Sequence, residues 1–217
     1  MRNLFGGGDR SRGKREGGGD RMSRHSSGWK ELLKHLQTHE SLRVLDIGPT
    51  SPTNINFVTE LGHSIYMANL VEDASKPEWI SPAVSGEAPV FDVDRFLTSN
   101  FSFSGRTFDV VIFWDTLDYL PAALVTPMLA RLKDSMRPGG LLLSFFHSKS
   151  SATAPAVDTK FYRYHLTPND VVEMRSAGDY PVRNIYNNRQ IENLLQGFGS
   201  FRFFLAKDNL REVLAVR

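Results

Sequence analysis

The 217-residue chain contains no cysteine. Disulfides and thiolate metal sites are thereby excluded, and a cytoplasmic setting is expected. No apolar run approaches the roughly 20 residues that cross a bilayer. The charged N-terminus has no apolar stretch behind it, so it does not read as a secretory signal. There is no G-x-G-x-x-G, no P-loop lysine and no G-x-S-x-G, which removes the usual signatures of nicotinamide, nucleotide-triphosphate and serine-hydrolase chemistry. No His/Asp/Glu spacing suggests a metal site. Glycine is also missing where it would be looked for: after the strand-like "VLDIG" (44–48) come Thr50, Ser51, Pro52 and Thr53.

Hydrophobic residues make up 41% of the chain, enough for a core, and the length suits one domain. The net charge of +2 is unevenly spread. Residues 1–25 hold seven basic side chains (Arg2, Arg10, Arg12, Lys14, Arg15, Arg21, Arg24) against three acids, a local +4, so the remainder is mildly acidic. Residues 1–27 are poor in apolar side chains and interrupted twice by Gly-Gly-Gly. Such a segment cannot bury enough surface to offset the entropy of ordering, and it is expected to be a disordered basic tail preceding a domain at 28–217. Arg beside Gly could track RNA, but only Phe5 is there to stack on a base, so nucleic acid is not the expected partner. An acidic remainder is not built to follow phosphates either.

Within the domain, Trp29, Leu32, Leu33 and Leu36 lie at i, i+3, i+4 and i+7 behind the cap candidates Ser26 and Ser27, which predicts a helix. A strand at 43–48, a helix at 53–61 closed by Gly62, and a strand at 64–70 follow. Residues 72–86 lack a period, and 88–94 reads as a third strand. "FDVVIFWDTLDYLP" (108–121) opens on a continuous apolar run, as a strand covered on both faces should. A helix stopped by "RPGG" (137–140) and another apolar strand, "LLLSFF" (141–146), come next. "YRYHL" (162–166) is an edge strand or lid, and 168–177 fits a short helix or a strand. A helix at 188–199 and a C-terminal antiparallel hairpin complete the pattern. Alternating strands and helices imply an α/β doubly wound, mostly parallel sheet, here with seven strands and a terminal hairpin.

This order of elements resembles the class I S-adenosylmethionine-dependent methyltransferases from Trp29 to Arg217. "VLDIG" resembles their first motif, "FDVVIFWDTLDYLP" their fourth-strand motif, and "MRPGGLLLSFF" the turn and strand after it. The middle block is similar to the form found in small-molecule and lipid-directed members. The resemblance implies S-adenosylmethionine as cofactor, bound where the strand order reverses. It places Asp46 at the loop or the cofactor ammonium, Gly48 against bare backbone, and Asn69 at the ribose in place of the usual acid. Asp92, or Asp94, falls at the adenine amino group, and Trp114 and Asp115 pass beside the cofactor. Thr50 and Pro52 stand at positions the family gives to glycine, while Ser51, Thr53 and Asn54 offer side chains that cap the helix or replace lost hydrogen bonds.

Each position also has a plainer reading. Asp46 could simply cap its turn, Asp92 be a solvated strand end, and Asp115 cap a helix. Where an acceptor must lose a proton, His147 after the fifth strand and His165 in "YRYHL" are the candidate catalytic bases; either could equally be a satisfied surface histidine. The expected partner is a small-molecule or lipid-like methyl acceptor. The Asp/Asn/Ser-Pro-Pro-aromatic tetrapeptide, often used in amino-group methylation of nucleic acid or protein, does not occur. The alternative is a degenerate member that binds no cofactor and acts as a scaffold. Oligomeric state is open at this level.

Overall fold

The computed structural model describes residues 21–82, 88–148, 160–204, 208 and 210–217. Strand β1 (Arg21–His25) leads into helix α1 (Ser27–Thr38), whose N-cap Ser26 accepts the Trp29 amide at 3.0 Å. Strand β2 (Arg43–Ile47), helix α2 (Pro52–Glu60), strand β3 (Ser64–Ala68) and the short helix α3 (Leu70–Ala74) follow. A two-residue ribbon, β4 (Ile80–Ser81) with β5 (Val90–Phe91), precedes α4 (Val93–Asn100). Then come β6 (Phe108–Trp114), α5 (Thr116–Tyr119), α6 (Ala122–Ser135) and β7 (Met136–His147). The chain ends with β8 (Lys160–His165), β9 (Val171–Asp179), α7 (Asn188–Leu194), β10 (Ser200–Phe204) and β11 (Leu210–Val216).

The central sheet has the order β10-β11-β7-β6-β2-β3. The run β3-β2-β6-β7 is parallel and the C-terminal hairpin antiparallel. After β2 the chain moves outward to β3, and after β6 in the opposite direction to β7, so the switch point lies between β2 and β6. Leu45, Ile47, Val111 and Phe113 pack with α4 and α6 on one face; Val44, Val110, Ile112 and Phe145 pack with α1 on the other. A sheet so covered explains the unbroken apolar run in β6.

Two expectations change and one open reading is decided. Among the described residues the sheet holds six strands rather than seven. The region 88–94 keeps only Val90–Phe91 as strand, paired with β4 outside the main sheet. Pro89 has no amide to donate, Val90 is 62% exposed, and Asp92 already turns the chain into α4. Second, the segment 168–177, open between helix and strand, is strand from Val171 onward: Val172 and Met174 are buried while Glu173 and Arg175 alternate with them. Third, residues 21–25, read with the tail, form β1 and pair with β9 from Arg21↔Arg175 to His25↔Val171. Together β1, β9 and β8 make a separate three-stranded sheet. Residues 1–20 lie outside those described.

What holds β1 in place is charge rather than apolar surface. The Arg24 side chain is only 5% exposed, bonds Asp208 at 2.7 and 3.0 Å, meets Glu212 at 2.8 Å and lies 4.5 Å over the Phe145 ring. Glu212, itself buried, also accepts the Gly28 amide at 2.6 Å and the Ser26 hydroxyl at 3.0 Å. One carboxylate on β11 thus neutralises β1 and satisfies the start of α1.

Removing one member of a buried ion pair leaves an uncompensated charge. Glu212→Ala is therefore expected to lower the unfolding free energy by about 3–5 kcal/mol, and Ser26→Ala, a lost cap, by about 1 kcal/mol. Urea unfolding followed by circular dichroism measures both; equal losses would contradict the hub role of Glu212.

Candidate functional site

The loop after β2 is organised by a buried carboxylate. Asp46 is 1% exposed; Trp114 Nε1 donates to its Oδ1 at 2.7 Å and Asn54 Nδ2 to its Oδ2 at 2.8 Å. Asn54 also donates to the Tyr164 carbonyl at 3.1 Å and accepts the Leu166 amide at 2.8 Å. It therefore joins the loop to β8. Ser51 caps α2, accepting the Asn54 amide at 3.2 Å, and Pro52 occupies the first helical turn, where a missing N–H is not felt. Thr50 is exposed.

Gly48 fits closely. Its amide extends the sheet to the Ala68 carbonyl at 2.9 Å, and a Cβ there would lie 3.1 Å from Trp114 Cδ1. Trp114 itself has φ +50, a left-handed conformation that non-glycine residues rarely adopt. Its indole stacks on Tyr164, with centroids 4.7 Å apart and planes 4° from parallel. An indole, rather than open space, covers this side of Gly48.

The strand ends beside Gly48 present unsatisfied acceptors. Asn69, which follows β3, donates through Nδ2 to Glu72 Oε2 at 2.7 Å, while its Oδ1 is buried without a partner among the described residues. Asp115, which follows β6, is 1% exposed, makes no side-chain cap for α5, and has both oxygens outside standard hydrogen-bond geometry among the described residues, with the Tyr164 hydroxyl as a weak donor to it. Thr116 Oγ1 donates to the Ile47 carbonyl at 2.9 Å and fixes the end of β6 against that of β2. Because β3, β2 and β6 are neighbours, Asn69 and Asp115 flank the end of β2, about 10 Å apart across two strand spacings.

Asp118, one turn on, accepts from the His147 amide at 2.6 Å and from His147 Nδ1 at 2.8 Å. That bond places a proton on Nδ1 and leaves Nε2 as the basic nitrogen. In the sequence Asp118 is only an acid four residues past an apolar strand. Nothing in the chain's pattern couples it to a histidine 29 positions later. His165 is different. Ser51 Oγ, an acceptor for the Asn54 amide, is also hydrogen-bonded to His165 Nδ1 at 2.8 Å. Burial, with Arg175 and Arg163 adding to it, holds the ring below its ordinary pKa. His165 is thus a buried ring that favours its neutral form and is tied to the loop after β2. Asp92 caps α4, accepting the Arg95 amide at 3.1 Å, a role that neither of its two readings gave it.

Burial pushes both Asp46 and Asp115 up to about 6; hydrogen bonds from Asn54 and Trp114 oppose this at Asp46, the charge of His147 and the Tyr164 hydroxyl at Asp115. A carboxyl raised in the folded state binds protons there that the unfolded chain does not hold. Its contribution to stability is present at low pH and is lost as pH rises through about 6. Since the buried Asp115 carboxylate has only the Tyr164 hydroxyl as a weak donor among the described residues, Asp115→Asn is expected to raise the unfolding free energy at pH 7.5 by on the order of 2–3 kcal/mol, with the gain shrinking toward zero at pH 4. Denaturant titrations of both proteins at the two pH values test this; a pH-independent difference would refute it.

Among the described residues, no helix is long and apolar enough to cross a membrane, and no group of three or more His, Cys, Asp or Glu side chains could hold a metal ion. No curated protein matches the chain. Among solved structures, protein PH0226 from Pyrococcus horikoshii shares the fold at 14% identity, TM-score 0.51, over 87% of this chain and 88% of that one. Also similar, each at TM-score 0.46, are a Burkholderia thailandensis 1,6-didemethyltoxoflavin-N1-methyltransferase bound to 1,6-didemethyltoxoflavin and S-adenosylhomocysteine (14% identity, 88% and 79% covered) and the magnesium protoporphyrin IX methyltransferase of Synechocystis with bound S-adenosylmethionine (15% identity, 87% and 77% covered). A family model described as a methyltransferase domain matches residues 21–200, most of the chain and the whole of the site described above. The chain belongs to the methyltransferase-domain family.

Proposed function

We propose that the chain transfers a methyl group from S-adenosylmethionine to a small-molecule or lipid-like acceptor. The observation that carries this reading is the set of buried acceptor atoms without a hydrogen bond of standard geometry among the described residues, Asn69 Oδ1 and both Asp115 oxygens, flanking the end of β2. A buried acceptor left unsatisfied costs roughly 1–3 kcal/mol, and both residues follow strands that border the switch point, where folds of this kind bind ligands. A ligand rich in hydroxyl and ammonium donors fits them. Asn69 would take a ribose hydroxyl, with Glu72 holding its amide so that Oδ1 points inward. Asp115 would take donors nearer the methionine end. When bound, the sulfonium supplies an electrophilic methyl group for in-line displacement.

The remaining work falls to this chain's own side chains. Asp118 holds Nδ1–H of His147, so that Nε2 receives the proton of an acceptor hydroxyl or amine. Asp118 and Asp115 then steady the imidazolium. Tyr119, its ring 5.8 Å from that of His147, walls the same corner. Trp114 and Tyr164, stacked and buried, keep water from the β2 end.

A second reading rests on the indole over Gly48. Asp46 spends both oxygens on Trp114 and Asn54, so it has none to spare for an ammonium, and Trp114 occupies the side where bare backbone would meet a cofactor. A protein that keeps the fold and has closed the loop would serve as a scaffold.

Titration calorimetry with S-adenosylmethionine and S-adenosylhomocysteine separates the two. Binding is expected, with stabilisation of roughly 2.7 kcal/mol at 100-fold excess over the dissociation constant. Asn69→Ala should weaken it about five- to tenfold and Asp115→Asn tenfold or more. Absence of heat and of any thermal shift at millimolar ligand would leave the scaffold reading.

A further inference from the structure

The sheet formed by β1, β9 and β8 has a core side, with Arg24, Val172, Met174 and Tyr164 buried, and an opposite face with a different chemistry. Register places Arg175, on the central strand, directly between Arg21 on β1 and Arg163 on β8. Two residues along, Ser23, Glu173 and His165 form the next row of the same face. Three guanidinium groups in cross-strand contact repel one another. The one carboxylate in these rows, Glu173, pairs with Arg21. Among the described residues neither Arg163 nor Arg175 has an ion-pair partner.

Two side-chain nitrogens on this face are also buried without a partner among the described residues: Arg163 Nε, and Nε2 of His165, a residue only 6% exposed. The face thus offers donors and positive charge and lacks the acceptors to match. Its complement is an oxyanion, which guanidinium groups grip in bidentate fashion. Adjacent strands stand about 4.8 Å apart, so the row spans about 10 Å, the width of one anionic group and not of a polymer track. The His165 row lies about 7 Å further along the strands, and His165 touches Ser51 in the loop after β2. An anion on the arginines is therefore one small-molecule length from the switch point.

We propose that Arg21, Arg175 and Arg163, with His165, bind a phosphate-type oxyanion of a small molecule, and, resting on the methyl-transfer reading, that this molecule is the acceptor. Its anionic end is anchored on the small sheet while its nucleophile reaches toward His147.

The test uses the full chain and inorganic phosphate against chloride at equal ionic strength. A thermal shift of roughly 3 °C or more is expected at 20 mM phosphate. Arg175→Gln should lose most of it while keeping its affinity for S-adenosylmethionine. The same variant should melt no lower than wild type in chloride, because it relieves repulsion. Arg202→Gln, exposed and 3.5 Å from Glu31 on another part of the surface, should respond like wild type. Equal phosphate responses in wild type and Arg175→Gln would overturn the site. Phosphatidylcholine vesicles containing phosphatidic acid distinguish the source: retention that Arg175→Gln abolishes supports a lipid headgroup at this site, and no retention with the phosphate response intact supports a soluble ester. An Arg175-dependent affinity for single-stranded RNA without a phosphate response would overturn the small-molecule proposal. A phosphate response in a chain that binds no S-adenosylmethionine would overturn the methyl-transfer reading and leave the anion site standing.

Discussion

The site depends on one buried carboxylate. Asp46 sits at the end of β2 with essentially no exposure, and burial disfavours its charged form enough to raise its pKa to about 6. Two strong donors, the Trp114 indole and the Asn54 amide, keep it ionised at neutral pH. Because those donors come from the end of β6 and from the first turn of α2, the bond pattern draws three elements to one point. Asn54 extends the pattern to Tyr164 and Leu166, so the position of the small sheet over the domain is also set from Asp46. A neutral residue here would leave an indole N–H and an amide N–H without acceptors in a dry interior, a penalty on the order of a few kcal/mol.

That arrangement divides the polar groups of the switch point into two sets. One set, Asp46, Asn54, Ser51 and Trp114, is mutually satisfied and holds the structure. The other, Asn69 Oδ1, the Asp115 carboxylate and Asp118 Oδ1, is buried without a hydrogen bond of standard geometry among the described residues. Folding alone does not explain the second set. Native proteins tolerate few such atoms, and those they keep concentrate where a ligand completes them. Both sets lie within a few residues of the same strand ends. The distinction between structural and functional carboxylates is therefore made by hydrogen-bond partners, not by position in the fold.

Much of the fold was legible in sequence because its signals are local. The Ser26 cap and the Trp29–Leu36 stripe, the α2 helix closed by Gly62 at φ +86, the apolar β6 and the terminal hairpin each follow from spacing within a dozen residues. Strand β1 escaped detection for the opposite reason. Its stability comes from Arg24 reaching Asp208 and Glu212, more than 180 positions away, and a charged pentapeptide after a glycine-rich tail gives no local sign of that. The ambiguous 168–177 segment was decided by tertiary pairing with β1 and β8 rather than by propensity. In the site, Asp46, Gly48 and Asn69 stand at strand ends, as expected from the motif order. The indole over Gly48, the Asp118–His147 pair and the Ser51–His165 bond join residues 29 to 114 positions apart and leave no trace in spacing.

These long-range contacts also account for the loop without glycines. A glycine-rich loop is needed when only backbone can satisfy what lies above it. Here side chains support the loop: Ser51 caps α2, Asn54 braces β8, and Pro52 sits at a helix start that needs no donor. The loop can carry Thr50 and Pro52 because the small sheet is there to receive Ser51 and Asn54, and the small sheet is there because Arg24 and Glu212 dock β1. The loop after β2 and the strand at 21–25 are thus linked through the small sheet. It also puts an arginine-lined face next to the loop. A loop that has given up bare-backbone contacts leaves recognition to neighbouring side chains, and Arg163, Arg175 and His165 stand on the strands that brace it.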